Sequence, residues 1–536
     1  MTTENITLAL ALLNPTVGDI AGNFAKLRAA RAGAAAKGAD LVLTTELATS
    51  GYPPEDLVLK PSFQKALQNE VEKLAREPGP DMLLSTPWRD ADGKLYNAVV
   101  LIAGGKIAAI TRKHDLPNYG PFDEKRVFSA GPLPDVLDWR GVKLGVPVCE
   151  DVWTPAVCAH LKAKGADLLL SPNGSPYEFR KDNVRHALVC DRAREKGLPM
   201  VYLNQFGGQD ELVFDGGALF ADAAGNIVGH VPRWQEGVFF SRLEKQGGAW
   251  RIADCPQADC DASEGEIYAA LKTGLGDYVR KNGFPGVVLG LSGGVDSALT
   301  AAIAADALGP DKVRCVMMPS PYTSQESLDD AAACAKALGC PYESISIEPA
   351  MKAFNTMLGN PSGVTAENIQ ARARGLTLMG LSNTTGAMVL STGNKSEMSV
   401  GYATLYGDMC GGFAVLKDVY KTTVYALCRW RNEQGEVIPE RILTKPPTAE
   451  LKPGQTDQDS LPPYEVLDSI LRGLVERDCG VEDMVAEGHD VATVQKVARM
   501  LDTAEYKRRQ AAPGVKITPR SFGKDRRYPI TNGFRM

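Results

Sequence analysis

The chain has 536 residues, of which 44% are hydrophobic and 23% are charged. These proportions are typical of a globular protein with several domains, and they exclude an intrinsically disordered one. The 59 Lys and Arg residues against 65 Asp and Glu residues give a formal net charge of −6. This charge argues against a polycation that binds nucleic acid.

The apolar runs and the cysteines predict a cytoplasmic protein. Ile6–Leu13, an apolar run near the start, is far shorter than the roughly 20 residues that span a bilayer. It also lacks the preceding basic segment of a signal peptide. Eleven cysteines are few for this length, and no two have C-x-x-C spacing. We therefore expect a reducing, cytoplasmic environment and no membrane partner.

The first half of the chain alternates short apolar runs with helical patterns. Ile6–Leu13 and Leu41–Leu43 are predicted to be buried strands. Asn23–Lys37 is rich in alanine and is followed by Gly38, which predicts a helix that ends at this glycine. The alternation of strands and helices predicts an α/β domain.

A polar segment with two adjacent glycines, residues 246–264, predicts a linker between a first domain, 1–245, and a second domain, 265–536. Beyond it strands again alternate with helices, which favours a doubly wound, mostly parallel sheet. The predicted elements are helix Gly265–Lys281, strand Val287–Leu291, a helix from near Ser297, strand Val313–Met318, helix Glu326–Leu338, and strands near Ser344–Ile347 and Met388–Leu390.

Three segments of the first domain each follow an apolar run and carry a reactive side chain. These are Thr45–Tyr52 with Glu46, Arg112–Tyr119 with Lys113, and Gly145–Asp151 with Cys149. A lone cysteine is more often a small buried hydrophobe than a nucleophile, so the other two segments decide the interpretation of Cys149. Together the three segments resemble the nitrilase (carbon–nitrogen hydrolase) superfamily, from Thr7 to about Phe240.

The resemblance implies a nitrilase-like αββα sandwich with a catalytic triad of Glu46, Lys113 and Cys149. Amide hydrolysis by a thiol needs a base, and Glu46 is expected to take the proton of Cys149. Lys113 is expected to stabilise the oxyanion and to hold the thiolate form of Cys149. The resemblance also implies a glutamine site formed by Tyr119, Ser175 and Lys181.

His114 lies beside Lys113 and has two interpretations. A Cys–His pair would make it catalytic. The five histidines of the chain show no H-E-x-x-H pattern, and we expect His114 to be a loop residue with satisfied hydrogen bonds.

The second domain contains the hexapeptide Ser292–Ser297, which reads Ser-Gly-Gly-Val-Asp-Ser between an apolar run and an Ala-rich helix. Glycines let backbone N–H groups approach an anion, and a helix N-terminus adds a favourable dipole. Asp296 inside a phosphate loop indicates an accompanying cation such as Mg²⁺. The plain alternative is a glycine-rich turn with a helix cap. No Gly-Lys-Ser/Thr follows, so the loop is not a Walker A motif; it resembles the ATP pyrophosphatase superfamily, whose members cleave ATP to AMP and pyrophosphate.

Further segments resemble NAD⁺ synthetases, in order from Gly265 to the C-terminus. They are Glu367–Arg372, Ser391–Glu397, Lys421–Thr422, Lys445–Leu451 and Tyr506–Gln510, and Tyr119–Arg126 in the first domain fits the same family. The resemblance implies ATP contacts at Gly290, Leu291, Ser292, Gly293, Gly294, Val295, Asp296, Ser297, Thr392, Lys421 and Thr448. It implies deamido-NAD⁺ contacts at Asn368, Arg372, Glu397 and Lys507, and Mg²⁺ ligands at Asp296 and Glu397. Some relatives carry a lysine before Tyr406-Gly407-Asp408, where this chain has Leu405, and the contact made by that lysine is left open.

Together the resemblances predict a homo-oligomeric ligase in which an amidase releases ammonia from L-glutamine and the second domain uses it with ATP, Mg²⁺ and deamido-NAD⁺. The expected products are NAD⁺, AMP, diphosphate and L-glutamate. Two alternatives remain: another adenylating amidotransferase or a tRNA-thiolating enzyme, and a nucleotide-sensing protein with a vestigial amidase. For the basic segment from Lys507 to Arg527, anion binding and subunit contacts are favoured over a solvated surface or a nucleic-acid patch.

Overall fold

The computed structural model describes residues 4–258 and 263–534. The chain divides into two compact units, Met1–Ala262 and Ser263–Met536. Among the described residues, no helix is both long enough and apolar enough to cross a membrane.

The first unit is built from two sheets with helices on their outer faces. Its strands are β1 (Asn5–Leu12), β2 (Leu41–Thr44), β3 (Asp81–Arg89), β4 (Leu95–Ala103), β5 (Lys106–Arg112), β6 (Leu137–Trp139), β7 (Val142–Gly145), β8 (Leu168–Asn173), β9 (Met200–Asn204), β10 (Phe206–Gln209), β11 (Leu212–Ala221), β12 (Ile227–Arg233), β13 (Gly237–Gln246) and β14 (Ala249–Asp254). Its helices are α1 (Ile20–Ala36), α2 (Pro61–Arg76), α3 (Glu124–Val127), α4 (Pro155–Ala163) and α5 (Lys181–Lys196).

The strand orders are β14-β13-β1-β2-β3-β4-β5 in one sheet and β10-β11-β9-β8-β7-β6 in the other, with β12 paired to β11. Along β1, Leu8 and Leu10 face the second sheet, where they share a core with Leu170 of β8. The alternate residue Ala9 belongs to the core that packs against Phe24 of α1. Because successive side chains of a strand point to opposite faces, one face of β1 packs against the second sheet and the other packs against α1. The αββα sandwich predicted from the nitrilase resemblance is confirmed.

The segment predicted as a linker is partly structured. Ala249–Asp254 forms β14, which pairs antiparallel with β13 at the edge of the first sheet. Gly247 and Gly248 have φ angles of +60° and +86°, so they form the hairpin turn between these strands. Part of the segment predicted as a linker is therefore an edge strand, and the first unit extends beyond residue 245.

The second unit continues the chain with helices on a parallel sheet. Its strands are β15 (Val287–Gly290), β16 (Val313–Met317), β17 (Tyr342–Ser344), β18 (Met388–Ser391) and β19 (Phe413–Ala414). Its helices are α6 (Glu264–Lys281), α7 (Val295–Leu308), α8 (Gln325–Leu338), α9 (Glu348–Leu358), α10 (Val364–Thr385), α11 (Lys395–Val400), α12 (Lys421–Glu433), α13 (Glu440–Thr444), α14 (Tyr464–Leu471), α15 (Val481–Ala486), α16 (Val491–Thr503) and α17 (Glu505–Arg508).

Among the described residues, the sheet of the second unit has the order β17-β16-β15-β18-β19, and all its pairs are parallel. The chain order reverses at β15, whose neighbours are β16 and β18. In doubly wound sheets, ligands bind at the carboxyl ends of the strands beside such a reversal. The predicted doubly wound parallel sheet is confirmed, and the Ser292–Ser297 loop follows β15 at this point.

The basic C-terminal segment pairs with acidic side chains of its own unit. Arg508 and Arg526 both donate to Glu505 Oε2, at 2.8 and 2.9 Å, and Lys516 Nζ lies 2.9 Å from Asp525. All three basic side chains are buried. Arg508 and Arg526 thus share one carboxylate and Lys516 pairs with another, and the expectation of anion binding by this segment stays a prediction.

Candidate active sites

A buried cluster of two carboxylates and one amine occupies the first unit. Glu46 follows β2 and Lys113 follows β5, so strand ends bring together residues far apart in the sequence. Lys113 Nζ donates to Glu46 Oε1 at 2.7 Å and to Glu124 Oε1 at 2.9 Å. Burial opposes the charge of Lys113, but Glu124 and Glu46 outweigh it and raise the lysine pKa well above its usual range. Burial, with Glu46 beside it, raises the pKa of Glu124 to about 7.

Glu46 is held at both carboxylate oxygens. Asn97 Nδ2 donates to Oε1 at 2.7 Å, and the backbone N–H of Gly174 donates to Oε2 at 2.8 Å. A Cβ atom at position 174 would lie 3.2 Å from Glu46 Oε2 and 3.0 Å from the Tyr52 ring, so glycine permits this close approach. The side chain of Glu46 is thus fixed by three donors when Lys113 is included.

Cys149 opens a 3₁₀ turn, Cys149–Val152, after β7. Its φ angle is +48°, in a region that non-glycine residues seldom adopt and that is enriched at functional sites. The side chain is buried. Burial and the Glu46 carboxylate raise the pKa of the Cys149 thiol well above its usual value, against Lys113 and the Gly174 N–H. The direction of this shift favours a thiol that needs a base, and the expectation that Lys113 holds the thiolate form stays a prediction.

Asp151 joins the cysteine segment to the lysine segment. Its carboxylate accepts from the backbone N–H groups of His114 (3.0 Å), Asp115 (2.7 Å) and Val148 (3.0 Å). His114 Nδ1 lies 2.7 Å from the carbonyl oxygen of Gly131. This contact agrees with the interpretation of His114 as a satisfied loop residue.

The three predicted glutamine residues lie in the same unit but in different settings. Tyr119 is exposed, and its hydroxyl donates to the carboxylate of Glu150 at 3.0 Å. Ser175 is buried in the loop after β8, and Lys181 is the half-buried first residue of α5.

In the second unit, the Ser292–Ser297 loop connects β15 to α7. Ser297 Oγ lies 3.1 Å from Ser292 Oγ and donates to the Gly294 carbonyl at 2.9 Å. Gly293 has a φ angle of +76°, and a Cβ atom there would lie 2.5 Å from the Ser327 carbonyl oxygen. The loop therefore requires glycine at this position, and its backbone wraps the N-terminus of α7.

Two carboxylates of the second unit meet at one lysine. Lys421 Nζ lies 2.5 Å from Asp296 Oδ2 and 3.2 Å from Glu397 Oε1. Burial opposes the lysine charge, but Asp296 and Glu397 outweigh it and raise the pKa of Lys421. Burial, with Asp296 nearby, raises the pKa of Glu397 to about 8. Two carboxylates that already face a cation are suited to hold Mg²⁺ together with phosphate oxygens.

A cavity of about 280 Å³ lies at the carboxyl ends of β15, β16 and β18. Its lining includes most of the residues predicted to bind ATP. They are Gly290, Leu291, Ser292, Gly294, Val295, Asp296, Ser297, Thr392, Lys421 and Thr448, and Glu397 lines it too. Gly293 shapes the loop without lining the cavity.

Asn368, Arg372 and Lys507 converge on one segment, residues 401–405. The contacts are Thr404 Oγ1 to Asn368 Oδ1 (2.9 Å), Arg372 Nε to the Leu405 carbonyl (3.2 Å), and Lys507 Nζ to the carbonyls of Gly401 and Ala403 (2.7 Å each). Tyr402 and Thr404 of this segment line the cavity. Asn368, Arg372 and Lys507 therefore contact a segment of the cavity wall, whereas Glu397 lines the cavity directly.

Several site residues were missed from the sequence. Glu124 and Asn97 contact the amidase cluster, and Arg374 lines the nucleotide cavity, where burial lowers its pKa to about 10. Glu124 lies in the segment Tyr119–Arg126, which resembles NAD⁺ synthetases, so the sequence contained a signal that pointed to this residue. Asn97 lies inside β4, which carried no motif, and Arg374 lies in α10 two residues beyond the Glu367–Arg372 segment.

Comparisons with known proteins match both units. Residues 7–252 match the carbon-nitrogen hydrolase family, and residues 267–511 match the NAD synthase family. The chain is 48% identical to the glutamine-dependent NAD(+) synthetase of Rhodobacter capsulatus and 44% identical to that of Acinetobacter baylyi, with 99% of each chain covered. The solved structure of the glutamine-dependent NAD⁺ synthetase from Acinetobacter baumannii in complex with ADP is 43% identical, has a TM-score of 0.79 and covers 99% of each chain.

An amidase-type unit and an NAD synthase unit in one chain define an ATP-dependent carbon–nitrogen ligase that hydrolyses glutamine. The identities over nearly the full length then specify which one. The chain belongs to the family of glutamine-dependent NAD⁺ synthetases.

Proposed function

We propose that the two units divide the synthesis of NAD⁺ between them. The Glu46–Lys113–Cys149 site releases ammonia from L-glutamine, and the Ser292–Ser297 site activates deamido-NAD⁺ with ATP. At pH 7 free ammonia is mostly ammonium, which is not a nucleophile. Its release inside the enzyme that uses it therefore favours amide formation.

In the amidase step, Glu46 takes the proton of the Cys149 thiol, and the thiolate attacks the amide carbon of glutamine. The raised pKa of Cys149 supports this role, because the thiol needs a base. Within the described residues, carboxylates take two of the three N–H donors of Lys113. The third is left to stabilise the oxyanion. Glu46 gives the proton of Cys149 to the amide nitrogen, the C–N bond breaks, and ammonia leaves a thioester on Cys149. Water then attacks the thioester carbon while Glu46 takes its proton; the C–S bond breaks, the proton returns to Cys149, and glutamate leaves.

Tyr119, Ser175 and Lys181 bind glutamine in this proposal. Ser175 is supported by its position beside Gly174, whose N–H contacts the proposed base Glu46. Tyr119 is supported by its hydrogen bond to Glu150, the neighbour of Cys149. The three residues present a hydroxyl, a phenol and an amine, which suit the polar groups of an amino acid.

In the ligase step, the nicotinate carboxylate of deamido-NAD⁺ attacks the α-phosphate of ATP, pyrophosphate leaves, and ammonia displaces AMP. The backbone of the Ser292–Ser297 loop binds phosphate at the N-terminus of α7, and Thr392, Thr448 and Lys421 line the same cavity. Asp296 and Glu397 would hold Mg²⁺, which neutralises phosphate charge. Asn368, Arg372 and Lys507 all contact residues 401–405, and in this proposal they bind deamido-NAD⁺ beside that segment.

We further propose that the enzyme is a homo-oligomer. None of the described residues of α9 is buried. The exposed apolar side chains Met357, Leu358, Val364 and Leu376 lie on α9 and α10, and an apolar patch of this kind marks an interface. Leu376 is one helical turn from Arg372, so a second copy of the chain there would border the deamido-NAD⁺ contacts.

The reaction is placed in the cytoplasm by the same proposal. All described cysteines are free thiols, and the proposed nucleophile Cys149 acts only when reduced. A reducing compartment preserves this state.

The observation that carries the proposed function is the Glu46–Lys113 contact in one unit together with the Asp296–Lys421 contact in the other. The test is to incubate the protein with deamido-NAD⁺, ATP, Mg²⁺ and either glutamine or ammonium. We expect NAD⁺, AMP and pyrophosphate from both nitrogen sources, and glutamate only with glutamine. ADP and phosphate as stoichiometric products would contradict the assignment of the loop.

A further inference from the structure

Ser175 is held by hydrogen bonds on every polar atom it has. Its N–H donates to Asn204 Oδ1 at 2.9 Å, and its carbonyl accepts from Asn204 Nδ2 at 3.0 Å and from Arg185 Nη2 at 2.8 Å. Its hydroxyl accepts from Arg185 Nε at 3.3 Å. Two side chains from α5 and the end of β9 thus fix both the backbone and the hydroxyl of Ser175.

Arg185 is itself held by a buried carboxylate. Its Nη1 donates to both oxygens of Asp215, at 2.9 and 2.7 Å, and Asn204 Nδ2 donates to Asp215 Oδ1 at 3.0 Å. Arg185, Asp215 and Asn204 are all buried. A buried ion pair seldom adds net stability over apolar side chains of similar volume, so stability alone does not account for this set.

We propose that Arg185, Asp215 and Asn204 are positioning residues that fix Ser175 for the binding of glutamine. The inference rests on the proposed role of Ser175 in the glutamine site. The planar guanidinium reaches the Ser175 hydroxyl and carbonyl in one orientation, and Asp215 fixes that orientation. The hydroxyl of Ser175 accepts from Arg185, and this contact fixes the position of its oxygen.

The triad has supports outside the Ser175 segment. Two of the three donors to Glu46, Asn97 and Lys113, lie elsewhere, and only the N–H of Gly174 adjoins Ser175. The strand end before Gly174 is held by Asn173 Nδ2, which donates to the carbonyls of Ser171 (2.8 Å) and Leu203 (3.2 Å). A displaced Ser175 should therefore affect glutamine binding more than the positions of the base and the lysine.

The test compares Arg185→Lys with Ser175→Ala and with the double variant in glutamine-driven NAD⁺ synthesis. Lysine keeps the charge beside Asp215 but loses the fork that reaches Ser175. We expect each single variant to raise the KM for glutamine about tenfold with kcat changed less than about threefold, as for one lost hydrogen bond to a charged group. The double variant should be no worse than the worse single variant, because both act through one residue.

Three measurements separate positioning from general damage. Ammonia-driven synthesis should be unchanged, and iodoacetamide should alkylate Cys149 at the wild-type rate. Arg31→Lys is the matched control, because Arg31 is also a buried arginine that donates to backbone carbonyls, at Leu74, Glu77 and Pro80; its KM for glutamine should not change. If Arg185→Lys slows the alkylation of Cys149, the test is repeated with Asp215→Asn. That variant should also raise the KM for glutamine.

The outcomes distinguish this inference from the proposed function beneath it. An unchanged KM in Ser175→Ala removes Ser175 from the glutamine site, and the positioning inference falls with it. A raised KM in Ser175→Ala with an unchanged KM in Arg185→Lys and Asp215→Asn overturns only the positioning inference. Additive effects in the double variant also overturn it, since Arg185 would then act by another route.

Discussion

Asn394 Nδ2 donates to Asp296 Oδ1 at 2.9 Å, and Asn394 Oδ1 accepts from the backbone N–H of Glu397 at 3.0 Å. One buried asparagine therefore caps α11 and ties it to the phosphate loop. This side chain links Asp296 to the start of α11 and so sets its position relative to Glu397, the second carboxylate proposed to hold Mg²⁺. Its helix-capping role is local, whereas its contact with Asp296 spans 98 residues of sequence.

The first prediction concerns Cys149→Ala. Glutamine-driven synthesis should be abolished, because no thiol remains to form the thioester. Ammonium at high concentration should still support NAD⁺ formation at the wild-type rate. Cys158→Ala is the control, since Cys158 is a buried cysteine of α4 in the same unit. A glutamine-dependent rate retained by Cys149→Ala would mean that Cys149 is a core residue.

The second prediction concerns the pH dependence of Cys149 alkylation. Burial and Glu46 raise the thiol pKa, so the thiolate fraction at any given pH is lower than for an ordinary cysteine. The rate with iodoacetamide should therefore increase with pH throughout the range from about 6 to 9, without a plateau. Mass spectrometry of the labelled peptide measures this rate. A plateau near neutral pH would show instead that Lys113 holds the thiolate.

The third prediction concerns the metal-dependent step. Asp296→Ala should lower NAD⁺ synthesis from both nitrogen sources by at least about 100-fold. The loop then loses a proposed ligand of the Mg²⁺ that would neutralise the phosphate charge. Glutamine hydrolysis measured without ATP should persist, since it occurs in the first unit. Asp311→Asn, an exposed carboxylate after α7, serves as the control. Equal loss in both variants would refute a specific role for Asp296.

The fourth prediction concerns the source of the transferred nitrogen. With unlabelled glutamine and excess ¹⁵N-ammonium below saturation of the ammonia route, the NAD⁺ formed should be mainly unlabelled. Ammonia released into bulk water would be protonated and diluted before it could react. We also expect deamido-NAD⁺ with ATP to stimulate glutamine hydrolysis by a typical coupling of about 1–3 kcal/mol. Labelling that matches the bulk pool would indicate two independent enzymes in one chain.

The fifth prediction concerns oligomerisation through α9 and α10. Leu376→Glu places a charge in the exposed apolar patch and should dissociate the oligomer in analytical ultracentrifugation. The KM for deamido-NAD⁺ should rise with dissociation, because Arg372 borders the same surface. Val485→Glu alters an exposed apolar residue of α15 and should leave the mass unchanged. An unchanged mass for Leu376→Glu would exclude this face as the interface.

The sequence by itself determined the two fold classes and the family, whereas the phosphate loop and the reactive roles of Glu46, Lys113 and Cys149 stay predictions made from it. These features depend on local chemistry. Strand and helix periods are properties of short segments, and the loop needs glycine where a φ angle is positive or a backbone approaches closely, as at Gly293. Local composition was misleading at β14, where Gly247 and Gly248 form a hairpin turn and Ala249–Asp254 pairs with β13 instead of forming a linker.

Only the tertiary structure decided which charges meet. Lys113 and Glu46 are 67 residues apart in sequence, and Lys421 and Asp296 are 125 apart, so no spacing rule predicts their contacts. The same holds for Arg526, which donates to Glu505 across 21 residues of sequence. A buried charge is stable only beside a partner, and the packing of distant strands and helices selects that partner.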